Sequence, residues 1–369
     1  MEKYDAAYWR GLASKGEYPE EFVKETEELS FASIPIPKEY GGSGLGLREA
    51  SLVLEEINAL GGSSQPFHGQ YYLSYVFSKF ASQLLKEKYL TQMTGGKLRM
   101  QAFALTEPEA GSDSTRIKTL AHKSGDHYVI NGHKIFISRV KHSDLMVLVA
   151  RTTPYEKVEK KVDGITLFLV DLRDAKGMDV HEIKTMINTQ TCEVFIKDLK
   201  VPTENVIGEP DQGFRYLLRV LNPERILIAA ECVGDARWFV EKSVDYAGRR
   251  VVFGKPIGTN QAIQFPIAQV YANLLAAETI TWQAATMYDN GADEKELGKY
   301  ANIAKYLAAE CSTKAADAAM DIYGGYGMTT DMDIERKFKE NRLYRIAPVS
   351  QNLVLGYIGH NVLGLPRSY

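Results

Sequence analysis

The spacing of apolar residues divides the chain into three regions. From residue 17 to about 98, apolar positions recur at helical intervals, as in EFVKETEELS and LREASLVLEEINAL. From about Gln101 the pattern changes to short segments rich in β-branched and aromatic residues, such as HYVINGHKIFIS and GITLFLVDL, with turn sequences between them. After Val201-Pro202 the helical spacing returns, over 212–249, 262–290, 293–322, 334–345 and 350–363.

This pattern predicts a multi-domain α+β chain. Its parts are an N-terminal helical domain over 1–100, a middle antiparallel β-domain of sandwich or barrel type over 101–209, and a C-terminal helical bundle over 210–369. No long helix separates the predicted strands, which argues against a parallel sheet. The length of 369 residues agrees with two or three domains.

Composition excludes several classes of protein. The chain has 44 Lys and Arg against 47 Asp and Glu, so no basic excess indicates nucleic-acid binding. No apolar run approaches the ~18–20 residues of a membrane span, and the N-terminus lacks a signal-peptide pattern. The three cysteines have no paired spacing and the seven histidines form no cluster, so we expect reduced thiols, no metal and a cytoplasmic location.

One short motif combines a strand end with small polar residues. LTEPEAGSD, residues 105–113, leaves a predicted strand and turns at Pro108 and Gly111. Its hydroxyl and backbone N–H groups suit a polar ring edge or a pyrophosphate, although a tight β-turn explains the same residues. GGSGLG, residues 41–46, lacks both the glycine spacing and the preceding strand of a dinucleotide site, so it indicates a turn between helices.

Several motifs together resemble a known family. ALTEPEAGSD followed by NGHKIFIS closely resembles the acyl-CoA dehydrogenase family, and PKEYGGSGLG, RRVVFGKPIGTNQAIQF and DIYGGYG resemble further family motifs in the same order. The resemblance extends over essentially the whole chain. It implies a homotetrameric FAD enzyme with helical, β-barrel and helical domains, the same order that the apolar spacing predicts.

The resemblance also implies two groups of cofactor-binding residues. The first lines the flavin or contacts the cofactor from the β-domain and consists of Phe103, Leu105, Thr106, Gly111, Ser112, Phe136 and Ser138. The second matches residues that reach the FAD of a neighbouring subunit or its adenosine half: Arg250, Phe253, Gln261, Gly324 and Gly325. Ser112 also matches a contact to the CoA thioester. Phe136 replaces a family Trp and Ser138 a family Thr, which keeps an aromatic face and a hydroxyl.

The catalytic base departs from the commoner family pattern. Most members carry a Glu near the C-terminus, whereas this chain has Ile346-Ala347-Pro348-Val349-Ser350 there, without a carboxylate. A minority place the Glu on an earlier helix, and Glu224 matches that position. Helical spacing puts Glu224 on an apolar face, where we expect the carboxylate to be desolvated. Arg225 matches an Arg that contacts the CoA moiety.

Purely structural roles for Glu224 and Arg225, and a second register for the C-terminal segment, stay open as alternatives. Pro223 could begin a helix capped by Asn222, which would make Glu224 an ordinary first-turn acid. Arg225 could be a surface ion-pair partner. Pro348 has no N–H to offer a thioester carbonyl, whereas a one-residue slip would let Val349 supply it.

The implied function is FAD-dependent dehydrogenation of an acyl-CoA to the trans-2-enoyl-CoA, as in the β-oxidation of fatty acids. Glu224 would take the α-proton, flavin N5 the β-hydride, and an electron-transfer flavoprotein the electrons. Two alternatives are a flavin oxidase or monooxygenase on the same fold, and a non-catalytic FAD- or CoA-binding subunit of a hetero-oligomeric dehydrogenase.

Overall fold

The computed structural model describes residues 3–367 and contains two compact units. The sheet unit comprises Gly16–Gly46 and Gln65–Leu221. The helical unit comprises the described residues up to Lys15, the segment Leu47–Ser64 and the described residues from Asn222 onward. Helices of the N-terminal region therefore belong to both units, and the three-domain division of the chain stays a prediction.

The sheet unit is built on eight strands: β1 (Ala102–Ala104), β2 (Leu120–Ser124), β3 (His127–Ser138), β4 (Leu145–Arg151), β5 (Ile165–Asp171), β6 (Met178–Glu182), β7 (Thr191–Pro202) and β8 (Val206–Ile207). Their order in the sheet is β6-β7-β3-β2-β4-β5-β8, with β1 paired to β4. Most pairs are antiparallel, as predicted, but β4 pairs in parallel with β1 and β2. Apolar spacing does not encode strand direction, so these two pairings were not foreseen.

The core of the sheet unit explains its most apolar segments. Every residue of β4 is buried, which accounts for the continuous apolar run DLMVLVA. By contrast, β2 and β6 are short, polar and partly exposed, and their sequences LAHKS and MDVHE carry no apolar run that would have predicted them. Three helices belong to this unit: α2 (Glu20–Glu28), α4 (Gln65–Phe80) and α5 (Gln83–Thr94).

The helical unit contains the long amphipathic stretches of the sequence. Its helices are α1 (Ala6–Lys15), α3 (Leu47–Ala59), the part of α6 (Gly213–Arg249) from Asn222, α7 (Gln261–Asp289), α8 (Glu294–Tyr323), α9 (Ile334–Asn341) and α10 (Gln351–Tyr357). A two-stranded hairpin, β9 (Val251–Val252) and β10 (Lys255–Pro256), joins α6 to α7. All five C-terminal stretches contain the expected helices, whereas α1 was not predicted.

Close contacts fix α3 within the helical unit. The carboxylate of Asp289, the last residue of α7, accepts hydrogen bonds from the backbone N–H groups of Leu47 (2.6 Å) and Arg48 (3.0 Å). These N–H groups have no partner inside the helix, so the carboxylate caps its N-terminus. A Cβ atom at Gly234 of α6 would lie 2.2 Å from the Glu55 carbonyl oxygen, so only glycine permits this approach of α6 to α3.

Two further properties concern the whole described chain. Between residues 3 and 367, no helix is both long enough and apolar enough to cross a membrane. Cys192, Cys232 and Cys311 are all buried free thiols.

Candidate active site

The motif at 105–113 forms a tight turn that β3 holds in place. The N–H of Glu107 donates to the carbonyl of Ala110 (3.2 Å), and the N–H of Ala110 donates back to Glu107 (3.0 Å). The carbonyl of Thr106 accepts from Ile135 N–H of β3 at 3.0 Å. Gly111 follows the turn, is exposed, and has no atom within 4 Å of a hypothetical Cβ. The turn therefore leaves open space beside its polar groups.

The end of β3 carries a bulge that turns an aromatic ring outward. The pairing of β3 with β7 shifts between Lys134 and Ile137, and Phe136 inside this shift has φ of +60°. A left-handed conformation is unusual for a bulky residue and marks a functional or structural constraint. The Phe136 ring is 62% exposed, and Ser138 lies two residues further on the same strand.

The structure places two of the predicted flavin-lining residues of the sheet unit, Thr106 and Phe136, next to each other. Thr106 is hydrogen-bonded to the residue before Phe136, so the turn and the bulge are neighbours. Neither the Thr106 nor the Ser138 hydroxyl hydrogen-bonds to another residue in the described part of the chain. The ring of Phe103 on β1 packs edge-on against Tyr72 of α4, with centroids 5.9 Å apart. The proposed roles of these residues remain predictions.

Sequence reasoning missed a buried ion pair beneath this site. The ammonium of Lys134 lies 2.8 Å from a carboxylate oxygen of Glu107, and neither side chain is more than 6% exposed. Both residues stand inside the quoted motifs, but no local pattern predicts that two charges far apart in sequence meet in the core.

A second cluster lies in the helical unit, around a cavity of about 580 Å³. It brings together Arg250, Gly324 and Gly325, three of the residues predicted to reach a neighbouring FAD. The Arg250 guanidinium lies over the Tyr326 ring, 5.6 Å from its centroid, and Tyr246 stacks on Tyr323. The other lining residues, which the sequence analysis did not single out, are Tyr246, Val252, Ile257, Asn260, Ile263, Ile322, Tyr323, Tyr326 and Thr329.

Two predicted residues lie beside this cavity but do not line it. Phe253 is at the tip of the β9–β10 hairpin, fully exposed and with φ of +52°. Gln261 is the exposed first residue of α7, between the lining residues Asn260 and Ile263. Phe253 therefore packs against no part of residues 3–367, and such exposure of an aromatic ring is typical of a contact surface.

Glu224 is buried inside a helix. It is only 4% exposed and lies well within α6, which begins at Gly213. The first-turn interpretation is therefore wrong: Pro223 is inside the helix, where it removes one backbone hydrogen bond, and does not begin it. The local sequence was misleading because a Pro preceded by Asn is the usual start of a helix.

Arg225 follows Glu224 on α6 and uses only part of its guanidinium. Its Nη1 donates to the side-chain oxygen of Asn222 at 3.2 Å, while its Nε has no hydrogen-bond partner among residues 3–367. Burial lowers the pKa of Arg225 to about 10, although the negative charge of Glu224 opposes this. Because only one of its N–H groups is bonded to Asn222 and Nε is unpaired, Arg225 keeps donors for a ligand.

The segment without a carboxylate is tied to α8. The fully buried ammonium of Lys305 donates to the Val349 carbonyl at 2.8 Å. Burial, together with the nearby positive charges of Arg225 and Arg345, lowers the pKa of Lys305 to about 8. Within Ile346–Ser350 no side chain can accept a proton from carbon.

Comparison with known proteins assigns the chain to a family. Family models match residues 1–97, 102–199 and 211–362, which correspond to the N-terminal, middle and C-terminal domains of acyl-CoA dehydrogenase. Acyl-CoA dehydrogenase FadE12 of Mycobacterium tuberculosis is 36% identical over 99% of this chain and 94% of its own length. The chain belongs to the acyl-CoA dehydrogenase family. The predicted order of helical, β and helical regions is that of the family fold.

Other members of the acyl-CoA dehydrogenase family agree with this assignment. The caffeyl-CoA reductase–Etf complex subunit CarC of Acetobacterium woodii is 33% identical, covering 94% of this chain and 92% of its own. A glutaryl-coenzyme A dehydrogenase solved with glutaryl-CoA superimposes with a TM-score of 0.91 at 30% identity, covering 100% of this chain and 93% of its own. The family consists of flavoprotein oxidoreductases.

The residues present fit a flavin dinucleotide. The sheet unit offers an outward aromatic ring at Phe136 and the two hydroxyls of Thr106 and Ser138. The helical unit offers an open turn at Gly324 and Gly325, where a Cβ would meet no atom within 4 Å, beside the cationic Arg250. Aromatic faces and hydroxyls suit a flavin ring, and an Arg next to open backbone suits an anionic dinucleotide.

Proposed function

We propose that the chain is an FAD-dependent acyl-CoA dehydrogenase in which Glu224 removes the α-proton of the thioester. The observation that carries this proposal is the burial of Glu224 within α6, in a chain whose Ile346–Ser350 segment holds no carboxylate. A carboxylate kept from bulk water is a stronger base toward a weak carbon acid than a hydrated one.

Arg225 and Val349 would orient the thioester. The guanidinium of Arg225 has donors left over after its bond to Asn222, which supports a contact to the CoA moiety. Pro348 lacks an N–H, so we assign the thioester-oxygen donor to the backbone N–H of Val349. Lys305 supports this role because its bond to the Val349 carbonyl fixes the segment.

The cofactor would be held by both predicted groups of residues. Bound FAD would supply the acceptor for the β-hydride. Phe136 would lie against the flavin ring, Thr106 and Ser138 would hydrogen-bond to it, and Phe103, Leu105, Gly111 and Ser112 would complete its surroundings. Arg250, Phe253, Gln261, Gly324 and Gly325 would contact the FAD of a neighbouring copy.

We also infer a homotetramer that passes electrons to a second flavoprotein. The exposed side chains of Phe253, Phe265, Tyr271 and Leu275 support a covered face on α7 and the hairpin before it. The relative named as a subunit of a reductase–Etf complex supports an electron-transfer flavoprotein as partner. Three free buried thiols are in keeping with a cytoplasmic location, where β-oxidation would be its role.

Anaerobic mixing with saturated acyl-CoA thioesters tests the proposal. We expect the visible flavin band to bleach in the FAD-loaded wild type and to bleach at least about a hundredfold more slowly in Glu224→Gln. Glu231→Gln is a matched control because Glu231 is also fully buried on α6, and it should bleach at a rate near that of wild type.

Each other outcome contradicts a distinct part of the proposal. Equal rates in wild type and Glu224→Gln would exclude Glu224 as the base. No bleaching with any thioester would exclude dehydrogenation by this chain alone and favour the non-catalytic subunit. In a separate aerobic assay, oxygen consumption without an added electron acceptor would favour the oxidase or monooxygenase.

Reduction of a 2-enoyl-CoA is a second candidate, because one relative is named a caffeyl-CoA reductase. The same residues would then act in reverse, with Glu224 returning a proton to the α-carbon. Mixing dithionite-reduced enzyme with aliphatic and aryl enoyl-CoAs separates the two directions: faster reoxidation than the forward bleaching would favour a reductase.

A further inference from the structure

The turn at residues 107–110 does not need the buried ion pair of Glu107 and Lys134 to close. The turn from Glu107 to Ala110 already closes with two backbone hydrogen bonds. Buried ion pairs are a weak source of stability, because desolvation of both charges offsets most of their attraction. The pair therefore calls for an explanation other than holding the turn shut.

Both oxygens of the Glu107 carboxylate accept hydrogen bonds. One oxygen accepts from Lys134 Nζ (2.8 Å) and from the N–H of Thr119 (2.9 Å), and the other accepts from the N–H of Lys118 (2.6 Å). Burial opposes ionisation, but these donors, Lys134 above all, lower the pKa of Glu107 below its usual value. The carboxylate thus joins β3 to the chain before β2 through a charged centre.

Lys134 also connects the ion pair to residues that are predicted to line the flavin. Its ammonium also donates to the carbonyl of Leu105 at 2.9 Å, and the next N–H on β3, that of Ile135, donates to the carbonyl of Thr106 at 3.0 Å. Both carbonyls are therefore engaged by β3. The Thr106 hydroxyl forms no hydrogen bond within the described chain, so it is free to meet a ligand.

We propose that Glu107 and Lys134 are positioning residues for bound FAD, which act by holding the Leu105–Thr106 backbone so that Thr106 and Ser138 meet the flavin together. This inference rests on the proposed function, because it takes FAD as the ligand of the site. It differs from a folding role: the ammonium of Lys134 holds the Leu105 carbonyl, next to Thr106, and an apolar side chain of similar size cannot form this bond.

The test separates positioning from stability with a double variant. Lys134→Met leaves a buried carboxylate without its cation, Glu107→Gln leaves a buried cation without its anion, and the double variant K134M/E107Q removes both charges. The single Gln oxygen can still accept from one of the two N–H groups, that of Lys118 or that of Thr119, and the double variant buries no unpaired charge. We therefore expect the apo double variant to unfold at a temperature closer to wild type than either single variant.

In the double variant, we expect the affinity for FAD to stay below that of wild type even though the stability recovers. Titration of apoprotein with FAD, followed by flavin fluorescence, should give a Kd raised at least about tenfold in K134M and still raised in the double variant. Lys141→Met is the matched control, because Lys141 forms an exposed pair with Glu182 in the same unit. Its Kd should equal that of wild type.

The outcomes distinguish this inference from the proposed function. Recovery of the wild-type Kd in the double variant would overturn the positioning role and leave the pair purely structural. Failure of wild type to bind FAD would instead contradict the proposed function. If K134M does not fold, Glu107→Gln alone carries the comparison: an unchanged Kd in it would also overturn the inference.

Discussion

At the scale of single residues, the guanidinium of Arg225 has N–H donors without a hydrogen-bond partner in the described chain. Its Nη1 bonds to Asn222, its Nε has no partner in the described chain, and its side chain is only partly buried. We expect Arg225→Met to raise the KM for acyl-CoA about tenfold or more, with a smaller effect on kcat, because it removes donors to the CoA moiety. Steady-state kinetics of R225M measure this. Arg215→Met, an exposed Arg on the same helix, should leave KM unchanged, and an unchanged KM in R225M would contradict the assignment.

Lys305 makes a prediction about stability and pH. Its pKa is about 8 in the folded chain and 10.5 when unperturbed, so between these values the unfolded chain binds more protons. Stability contributed by Lys305 must then rise with pH across this window. The free energy of unfolding of wild type minus that of Lys305→Met should increase by up to about 3 kcal/mol between pH 8 and 10.5. Urea unfolding at several pH values measures this difference, and a flat or falling difference would contradict a lowered pKa of Lys305 in the folded chain.

At the scale of elements, α6 depends on a glycine contact. A Cβ at Gly234 would lie 2.2 Å from the Glu55 carbonyl of α3, and a backbone atom cannot swing away. We expect Gly234→Ala to destabilise the fold by about 1–3 kcal/mol or more. Gly248→Ala is the matched control on the same helix, because a Cβ there meets nothing within 4 Å, and it should be neutral or stabilise slightly. Equal stability of the two variants would show that the backbone of α6 at Gly234 does not approach the Glu55 carbonyl of α3 this closely.

The elements also show what apolar spacing encodes. It predicted the long C-terminal helices because each buries one stripe, and the strands β4 and β5 because both are buried along nearly their whole length. It missed α1, β2 and β6. A separate local pattern, Asn222 followed by Pro223, suggested a helix start inside α6, which begins at Gly213. In these cases contacts distant in sequence decide the structure, and a local pattern does not contain them.

The candidate site likewise contains residues that the sequence could name and contacts that it could not. Thr106, Phe136, Arg250 and Gly324 stand in motifs, so resemblance to the family could name them. The Glu107–Lys134 pair could not be named, because it depends on the fold bringing a turn and β3 together around two buried charges. The bulge that exposes Phe136 is likewise set by the pairing of β3 with β7.

At the scale of the whole molecule, the exposed apolar face on α7 predicts assembly. Tyr271 and Leu275 are about half exposed there, and Phe253 on the preceding hairpin is fully exposed. A charge in this face should disfavour burial against another copy. We expect Leu275→Glu to shift the oligomer to a smaller species in light scattering after gel filtration. Leu84→Glu on α5, at a similarly exposed leucine, should not, and a wild-type assembly in L275E would place the interface elsewhere.

The identity of the base is the central claim about the molecule, and hydrogen exchange at the α-carbon tests it most directly. A 3-thia analogue of an acyl-CoA has sulfur in place of the β-carbon and therefore no β-hydrogen to transfer, so exchange of its α-hydrogen with D2O reports proton removal alone. FAD-loaded wild type should catalyse this exchange, and Glu224→Gln with the same FAD content should not. Exchange at the wild-type rate in E224Q would show that another group removes the proton.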